Sequence, residues 1–127
     1  RKIKPDIIYT HSNADLNIDH RIVLNAVLTA FRPCPDENYC EIRLFEVPSS
    51  TDYGNSQVIG DFVPNLFIDI TDEWKTKKAA INCYKHELRK YPHSRSKEGI
   101  ETLSKIRGTQ SGLKKAEAFQ IIRRIES

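Results

Sequence analysis

Short apolar runs alternate with longer amphipathic stretches along this sequence. Three runs, Asp6–Thr10, Glu41–Val47 and Leu66–Ile70, are short and predominantly apolar, which predicts strands. Between the first two lies a stretch from Asp19 to Phe31 in which apolar residues recur at helical spacing. This stretch predicts a helix with a core-facing stripe that consists of Ile22, Val23, Ala26, Val27 and Ala30.

Further helices are predicted in the second half of the chain. Thr71 caps the first of them, which is long and ends at Pro92 because proline cannot continue a helix. Its core stripe consists of Trp74, Ile81 and Leu88, with Tyr84 between them on the same side. Either Ser94 or Ser96 caps the next helix, and the apolar residues around Glu117 predict a final one.

The alternation of strands and helices indicates an α/β fold. The first strand is apolar without strict alternation, as in strands that are buried on both faces of a parallel sheet. We therefore expect a single domain over residues 1–127 with a Rossmann-like, mainly parallel sheet and flanking helices. No glycine-rich dinucleotide loop is present in the sequence, so the expected fold alone does not argue for a nicotinamide cofactor.

Composition narrows the class of protein. The chain contains no methionine and begins at Arg1, so we expect it to be a piece of a longer protein. No apolar run is long enough to span a membrane, and no signal-peptide pattern is present. Cys34, Cys40 and Cys83 do not follow a common zinc-knuckle spacing. We expect free, mostly buried thiols in a reducing compartment, which favours a cytoplasmic protein.

Charge is unevenly distributed along the sequence. Residues 1–70 contain 6 basic and 10 acidic side chains, whereas residues 71–127 contain 14 basic and 7 acidic ones. The positive second half is compatible with an anionic ligand such as a nucleotide-sugar or a phospholipid head group. Its basic residues are interleaved with acidic ones, however, which is also typical of solvated helix surfaces. Few aromatic residues accompany this charge, so we expect no nucleic-acid partner.

Polar chemistry is concentrated between the first strand and the first helix. A polar loop from His11 to Asn17 follows the strand, and Asp19 and His20 stand at the start of the helix. In open α/β sheets, ligands bind at loops that follow the carboxyl ends of strands. One interpretation is structural, with Asp19 as the helix cap and His20 as an ordinary first-turn residue. The other is a functional site, since this segment gathers His11, Asn13, Asp15, Asn17, Asp19 and His20.

The run Asn17-Ile18-Asp19-His20-Arg21, after a strand that ends in Tyr9-Thr10-His11, resembles the second motif of a known family. That family is the LmbE / PIG-L family of zinc-dependent sugar de-N-acetylases, whose motif usually reads His-x-Asp-His-Arg. The resemblance implies that His20 ligates zinc and that Asp19 supports the site from close by. Asn17 stands where the family has a histidine that helps to stabilise the oxyanion. An asparagine can donate a hydrogen bond to an oxyanion, but it cannot carry and deliver a proton.

Two later segments also resemble the family. Tyr91 to Ser96 contains a Pro-His-x-Arg-Ser run like that of sugar-directed members, which implies that His93 is a proton carrier compensating for Asn17. Arg107 to Phe119 is similar to the closing motif, which ends in Ala-Glu-Ala-Phe. Each segment also has a plain structural interpretation, as a proline stop with a serine cap and as an exposed glutamate on a helix. The residues expected to contact substrate are His11, Asp15, Arg95 and Glu117.

The family's first motif, His-Pro-Asp-Asp-Glu, is absent from this chain. In the family it supplies two more zinc ligands and the general base, so the resemblance covers only the C-terminal part of the family domain. It implies zinc-dependent removal of acetyl from an N-acetylglucosamine-type sugar, in a site that a preceding segment of the same protein completes. We therefore expect the 127-residue chain alone to be inactive. The alternative is a non-catalytic sugar- or nucleotide-sugar-binding relative, which Asn17 favours, and a homo-oligomer is compatible with either.

Overall fold

A computed structural model of the chain describes residues 3–35 and 40–126. The described part contains helices and a four-stranded sheet, so the predicted α/β class is confirmed. The elements are β1 (Ile7–His11), α1 (Ile18–Ala30), β2 (Glu41–Phe45), α2 (Ser56–Ile59), β3 (Leu66–Asp69), α3 (Trp74–Asn82), α4 (Lys97–Thr109) and β4 (Ala116–Arg123). The chain divides into two compact units, of which unit 1 comprises Arg1–Leu66 and Phe119–Ser127 and unit 2 comprises Phe67–Ala118.

The sheet has the strand order β1-β2-β4-β3. β1 and β2 are parallel, with Ile8 opposite Ile42 and His11 opposite Phe45. β2 and β4 are antiparallel, with an irregularity in register after Ile42. The prediction of a mainly parallel sheet is therefore wrong for the described residues, in which β1–β2 is the parallel pair.

The helix predicted around Glu117 is also wrong, because Ala116–Arg123 forms strand β4. Ala116 and Ala118 are buried whereas Glu117 between them is half-buried, which is the alternation of a strand. β4 lies between β2 and β3 and forms hydrogen bonds with both. Backbone pairing on two sides outweighs the helical propensity of Ala-Glu-Ala, which is a weak preference.

The core of unit 1 lies between β2 and α1. α1 also packs on β1. Its buried members are Leu24, Cys40, Ile42 and Leu44. The apolar stripe predicted along α1 is largely exposed to solvent, and the exposed fractions of Ile22 and Val23 are 57% and 44%. Leu24 is the buried position of α1, so the helix covers the sheet through a neighbouring face and leaves apolar surface open.

The long helix predicted from Thr71 to Pro92 is much shorter. α3 spans Trp74–Asn82 and has no buried residue, so the predicted core stripe is not formed there within the described residues. The backbone N–H of Thr71 donates to the Asp69 carboxylate at 2.9 Å, which closes a turn before the helix. Thr71 is therefore a turn residue and not the cap of α3.

One of the two serines predicted to cap α4, Ser96, is its N-cap residue. Ser96 is buried, and its hydroxyl accepts a hydrogen bond from the Gly99 backbone N–H at 2.9 Å. The helix continues to Thr109, so Gly108 lies inside its last turn. The loop that follows α4 folds back onto this glycine, since the Leu113 N–H donates to the Gly108 carbonyl at 2.8 Å.

We expect Gly108 to be intolerant of a side chain. A methyl group on its Cα would lie 2.6 Å from the Leu113 carbonyl oxygen and 2.9 Å from that of Lys114. Gly108→Ala should therefore lower the free energy of unfolding by about 1–3 kcal/mol, despite the higher helix propensity of alanine. Urea unfolding followed by circular dichroism measures this, with Thr102→Ala at an exposed position of α4 as the control. Wild-type stability of Gly108→Ala would contradict the close approach.

Two other sequence predictions concern the cysteines and the membrane. Cys34, Cys40 and Cys83 are free, as predicted, but only Cys40 among them is buried. In the part of the chain that the structure describes, no helix has the length and apolar character needed to cross a membrane.

Candidate metal centre

The polar loop between β1 and α1 brings His11, Asp15 and His20 together in unit 1. Each side chain offers one ligand atom, and these atoms lie within 4.8 Å of one another. His11 is the last residue of β1 and stands opposite Phe45, the last residue of the parallel neighbour β2. Asp15 lies in the loop, and His20 lies in the first turn of α1. The cluster therefore occupies the carboxyl end of a parallel strand pair, where open α/β sheets bind ligands.

The side chains of Asp15 and His20 form a hydrogen bond with each other. The Asp15 carboxylate is fully buried, and its Oδ2 lies 2.9 Å from Nδ1 of His20. Its Oδ1 accepts a hydrogen bond from the Asn17 backbone N–H at 2.8 Å. Because an ionised carboxylate can only accept, Nδ1 of His20 carries the proton and the lone pair of Nε2 is available. Metal-bound histidines commonly donate their other ring N–H to a carboxylate in this way.

His11 completes the cluster from the strand side. Its ring stacks on that of His20 with centroids 3.8 Å apart and an interplanar angle of 9°. The Phe45 ring meets His11 edge-on at 4.7 Å. Nδ1 of His11 is buried and has no hydrogen-bond partner in the described part of the chain. An unsatisfied buried polar atom costs about 1–3 kcal/mol, and a metal ion would supply the missing partner.

The electrostatics of His11 favour the neutral ring. Burial is the larger cause that lowers the pKa of His11 below its ordinary value, and the neighbouring His20 lowers it further. The Asp15 carboxylate opposes part of this shift. A lowered pKa leaves His11 uncharged at neutral pH, which is the form that binds a metal.

Arg21 holds the loop in place from α1. Its Nη1 donates to the backbone carbonyl of Asp15 at 2.6 Å and to that of Leu16 at 3.2 Å. The Leu16 N–H in turn donates to the Ser50 carbonyl at 2.9 Å. The loop is thus tied both to the helix that follows it and to the turn after β2. This positioning role of Arg21 was missed from the sequence, where the arginine appears only as the last residue of a motif.

The donor set suits zinc, with one geometric condition. Imidazole nitrogens and carboxylate oxygens are common zinc ligands. With Zn–N distances of about 2.0–2.1 Å, ligand atoms in a tetrahedral site lie about 3.4 Å apart. The ligand atoms here lie within 4.8 Å of one another, so a contraction of at most about 1.4 Å would bring them to zinc-binding distances. An open catalytic site needs three protein ligands. His11 and His20 provide two, and the third is Asp15 or a group outside the described residues.

We expect Asp15→Asn to weaken zinc binding about 10–100-fold, as changes to the partner of a ligand histidine do. An asparagine can turn its amide N–H toward Nδ1 of His20 and so favour the wrong tautomer. Titration of the chain against a competing zinc indicator measures the affinity. Asp19→Asn, the same substitution at an exposed carboxylate four residues later, is the control. A larger loss for Asp19→Asn would instead give the supporting role to Asp19.

Asn17 and Asp19 lie at the start of α1. Asn17 is the helix cap, because its Oδ1 accepts a hydrogen bond from the Asp19 backbone N–H at 2.9 Å. The interpretation of Asp19 as the cap is therefore wrong. Asp19 is exposed in the first turn, and the carboxylate that bonds to His20 is that of Asp15. The catalytic roles that the resemblance implies for Asn17 and Asp19 stay predictions.

The other predicted site residues lie in unit 2. Nδ1 of His93 accepts a hydrogen bond from the Arg95 backbone N–H at 3.0 Å, so the neutral ring carries its proton on Nε2. The Arg95 guanidinium pairs with Glu87 at 3.0 Å. Glu117 pairs with Lys77 at 2.6 Å. The predicted roles of His93, Arg95 and Glu117 toward substrate stay predictions.

These ion pairs bear on the positive charge of the second half of the chain. Lys77, Arg95, Lys105 and Lys115 each lie within 4.0 Å of a glutamate in unit 2. Local pairing of this kind supports the interpretation as a solvated surface over that of a single anion-binding patch.

A scan of protein-family models finds no match to this chain, and a search of curated proteins finds no relative.

Proposed function

We propose that this chain carries one side of the active site of a zinc-dependent de-N-acetylase that acts on an N-acetylglucosamine-type sugar. The observation that carries the proposal is the buried Asp15 carboxylate on Nδ1 of His20, beside a stacked His11 with an unpartnered nitrogen. A carboxylate on Nδ1 is the usual support of a metal-bound histidine, and the end of a strand is where open α/β sheets bind ligands. The resemblance of residues 17–21 to the LmbE / PIG-L motif supplies the reaction class.

The residues divide the chemistry between them. When bound, zinc would supply Lewis-acid activation of an acetyl carbonyl and of a coordinated water, whose pKa it would lower to about 7. His20 and His11 would hold the ion, and the Asp15 carboxylate orients the His20 ring. The Oδ1 of Asn17 accepts the hydrogen bond that caps α1. Its side-chain N–H groups are therefore available as donors to a developing oxyanion.

A further segment completes the site in this proposal. The parallel β1–α1–β2 unit is the part of the fold that fits a Rossmann-like sheet. The outer edge of β1 has no strand partner among the described residues, and its Ile7 and Tyr9 are 41% and 47% exposed. Ile22 and Val23 of α1 are also uncovered, so both β1 and α1 leave apolar surface that further segments could cover. A preceding segment of the same protein would bring the general base and any zinc ligand that Asp15 does not supply.

Acetate release by the intact protein tests the proposal. We expect hydrolysis of an N-acetylglucosamine glycoside or nucleotide-sugar that is lost on chelation and restored by zinc. The 127-residue chain alone should bind zinc weakly and release no acetate. Intact protein that contains no zinc and hydrolyses none of these substrates would contradict the proposal.

A non-catalytic sugar-binding relative is the second candidate. The use of Asn17 as a helix cap favours it, since a residue with a structural task explains the departure from the family motif. The same experiment separates the two functions. Zinc-loaded intact protein that binds N-acetylglucosamine without releasing acetate would support the non-catalytic relative.

A further inference from the structure

A second candidate site lies in unit 2, apart from the residues used above. It is a cavity of about 200 Å³ between α3 and α4. One wall consists of Trp74, Lys78 and Ile81, which share a face of α3 because they are four and three residues apart. The residues that line the rest of the cavity are Asn82, Lys97, Glu98 and Glu101.

Trp74 is held in a fixed orientation. The Lys115 ammonium lies over the indole ring, 5.2 Å from its centroid. The same ammonium lies 3.5 Å from the carboxylate of Glu101, a cavity residue. The cation–π contact and the ion pair therefore fix an aromatic wall before any ligand arrives. Fixed walls reduce the entropy that binding costs.

An unused hydrogen-bond acceptor lies beside this wall. The Oδ1 of Asn82 is buried, and it has no hydrogen-bond partner in the part of the chain that is described. Such an atom is costly to leave unpaired. It is closed to solvent as it stands, so a rotation of the Asn82 side chain into the cavity that it lines would let it accept from a ligand that can donate a hydrogen bond. A carboxylate or a fully ionised phosphate has no hydrogen to donate, whereas a hydroxyl group does.

The charges of the lining also point away from an anion. Lys78 and Lys97 contribute positive charge, and Glu98 and Glu101 contribute as much negative charge. The wall is therefore neutral as a whole, with donors and acceptors of both kinds. An aromatic and aliphatic surface with a few polar groups around it matches a ring that has apolar C–H faces and hydroxyl edges.

We propose that the cavity between α3 and α4 binds a neutral pyranose sugar unit, with Trp74 and Ile81 against a ring face and Asn82 accepting from a hydroxyl group. The site is independent of the metal centre, because it involves no residue of unit 1. It would give the protein a second carbohydrate contact besides the acetylated residue.

Trp74 makes the test direct, since it is the only tryptophan in the sequence. We expect N-acetyl-D-glucosamine to change its fluorescence saturably, with a Kd of about 1–10 mM, as is reasonable for so small a ligand. Asn82→Ala should weaken this binding about three- to tenfold, the equivalent of one neutral hydrogen bond. Lys75→Ala, at an exposed position of α3 outside the cavity lining, should leave it unchanged.

Further outcomes decide the proposal. A wild-type chain whose fluorescence does not change saturably with the sugar would overturn it. So would an Asn82→Ala chain that keeps a wild-type circular dichroism spectrum and binds the sugar as tightly as the wild type. A response to inorganic phosphate but not to the sugar would overturn it in favour of an anion site. His20→Ala should keep the full fluorescence response, and its loss there would overturn the assignment to unit 2. Retention of the response in a chain that has lost zinc would support this site whatever becomes of the proposed deacetylase.

Discussion

Replacing His20 with alanine is expected to abolish zinc binding. Nδ1 of His20 donates its hydrogen bond to the Asp15 carboxylate. The lone pair of Nε2 is therefore available to bind zinc. The variant removes one of the two imidazoles of the cluster. Its loss of zinc affinity should therefore be larger than the loss of about 10–100-fold that is expected when only the partner of a ligand is changed. Elemental analysis of the intact protein and zinc titration of the 127-residue chain both measure it.

Loss of zinc could also follow from local unfolding, so two variants serve as controls. His20→Ala leaves the buried Asp15 carboxylate with one partner fewer, at a cost of about 1–3 kcal/mol. His20→Gln can still donate to Asp15 but is a poor zinc ligand, so it should lose zinc while keeping more of the stability. His86→Ala removes an exposed histidine of unit 2 and should bind zinc like the wild type. Equal metal content in all of these proteins would refute the site.

A concentration of polar side chains between β1 and α1 could be predicted because its signals are local, but the sequence assigned His11 and Asp15 to substrate and only His20 to the metal. A strand, a polar loop and a helix start follow one another within about one βα unit, and each is readable from apolar spacing and turn chemistry. The Asp15–His20 hydrogen bond could not be predicted, since it depends on the path of the loop. That path is set by contacts with distant segments, such as the Leu16 N–H on the Ser50 carbonyl.

The second half of the chain shows where local signals fail. Ala116–Arg123 contains good helix formers, but its partners β2 and β3 lie far away in sequence and decide its structure. α3 ends at Asn82 although apolar residues continue at helical spacing to Leu88. Such spacing stabilises a helix only where another surface covers it, and α3 has no buried residue. The residues of α3 that looked like core instead line the cavity beside α4.

Replacing Ile42 with alanine should destabilise unit 1 more than any other single truncation of its core. Ile42 of β2 is fully buried opposite Ile8 of β1, and it belongs to the cluster that includes Leu24 of α1. Truncation of a buried isoleucine costs about 2–5 kcal/mol, because packing is lost and a cavity remains. This is a large part of the about 5–15 kcal/mol that stabilises a typical domain. Urea unfolding followed by circular dichroism measures the loss.

The same core carries the metal centre, which gives this prediction a second readout. Ile42 and Phe45 lie on one strand, and the Phe45 ring contacts His11. Loosening β2 should therefore weaken zinc binding as well as folding. Ile122→Ala truncates an isoleucine of β4 that is 40% exposed, so it should cost less than about 1 kcal/mol and leave zinc affinity unchanged. If Ile42→Ala unfolds no more easily than Ile122→Ala, β2 is not the centre of a packed core. The strand ends would then have no rigid base from which to hold His11 against His20.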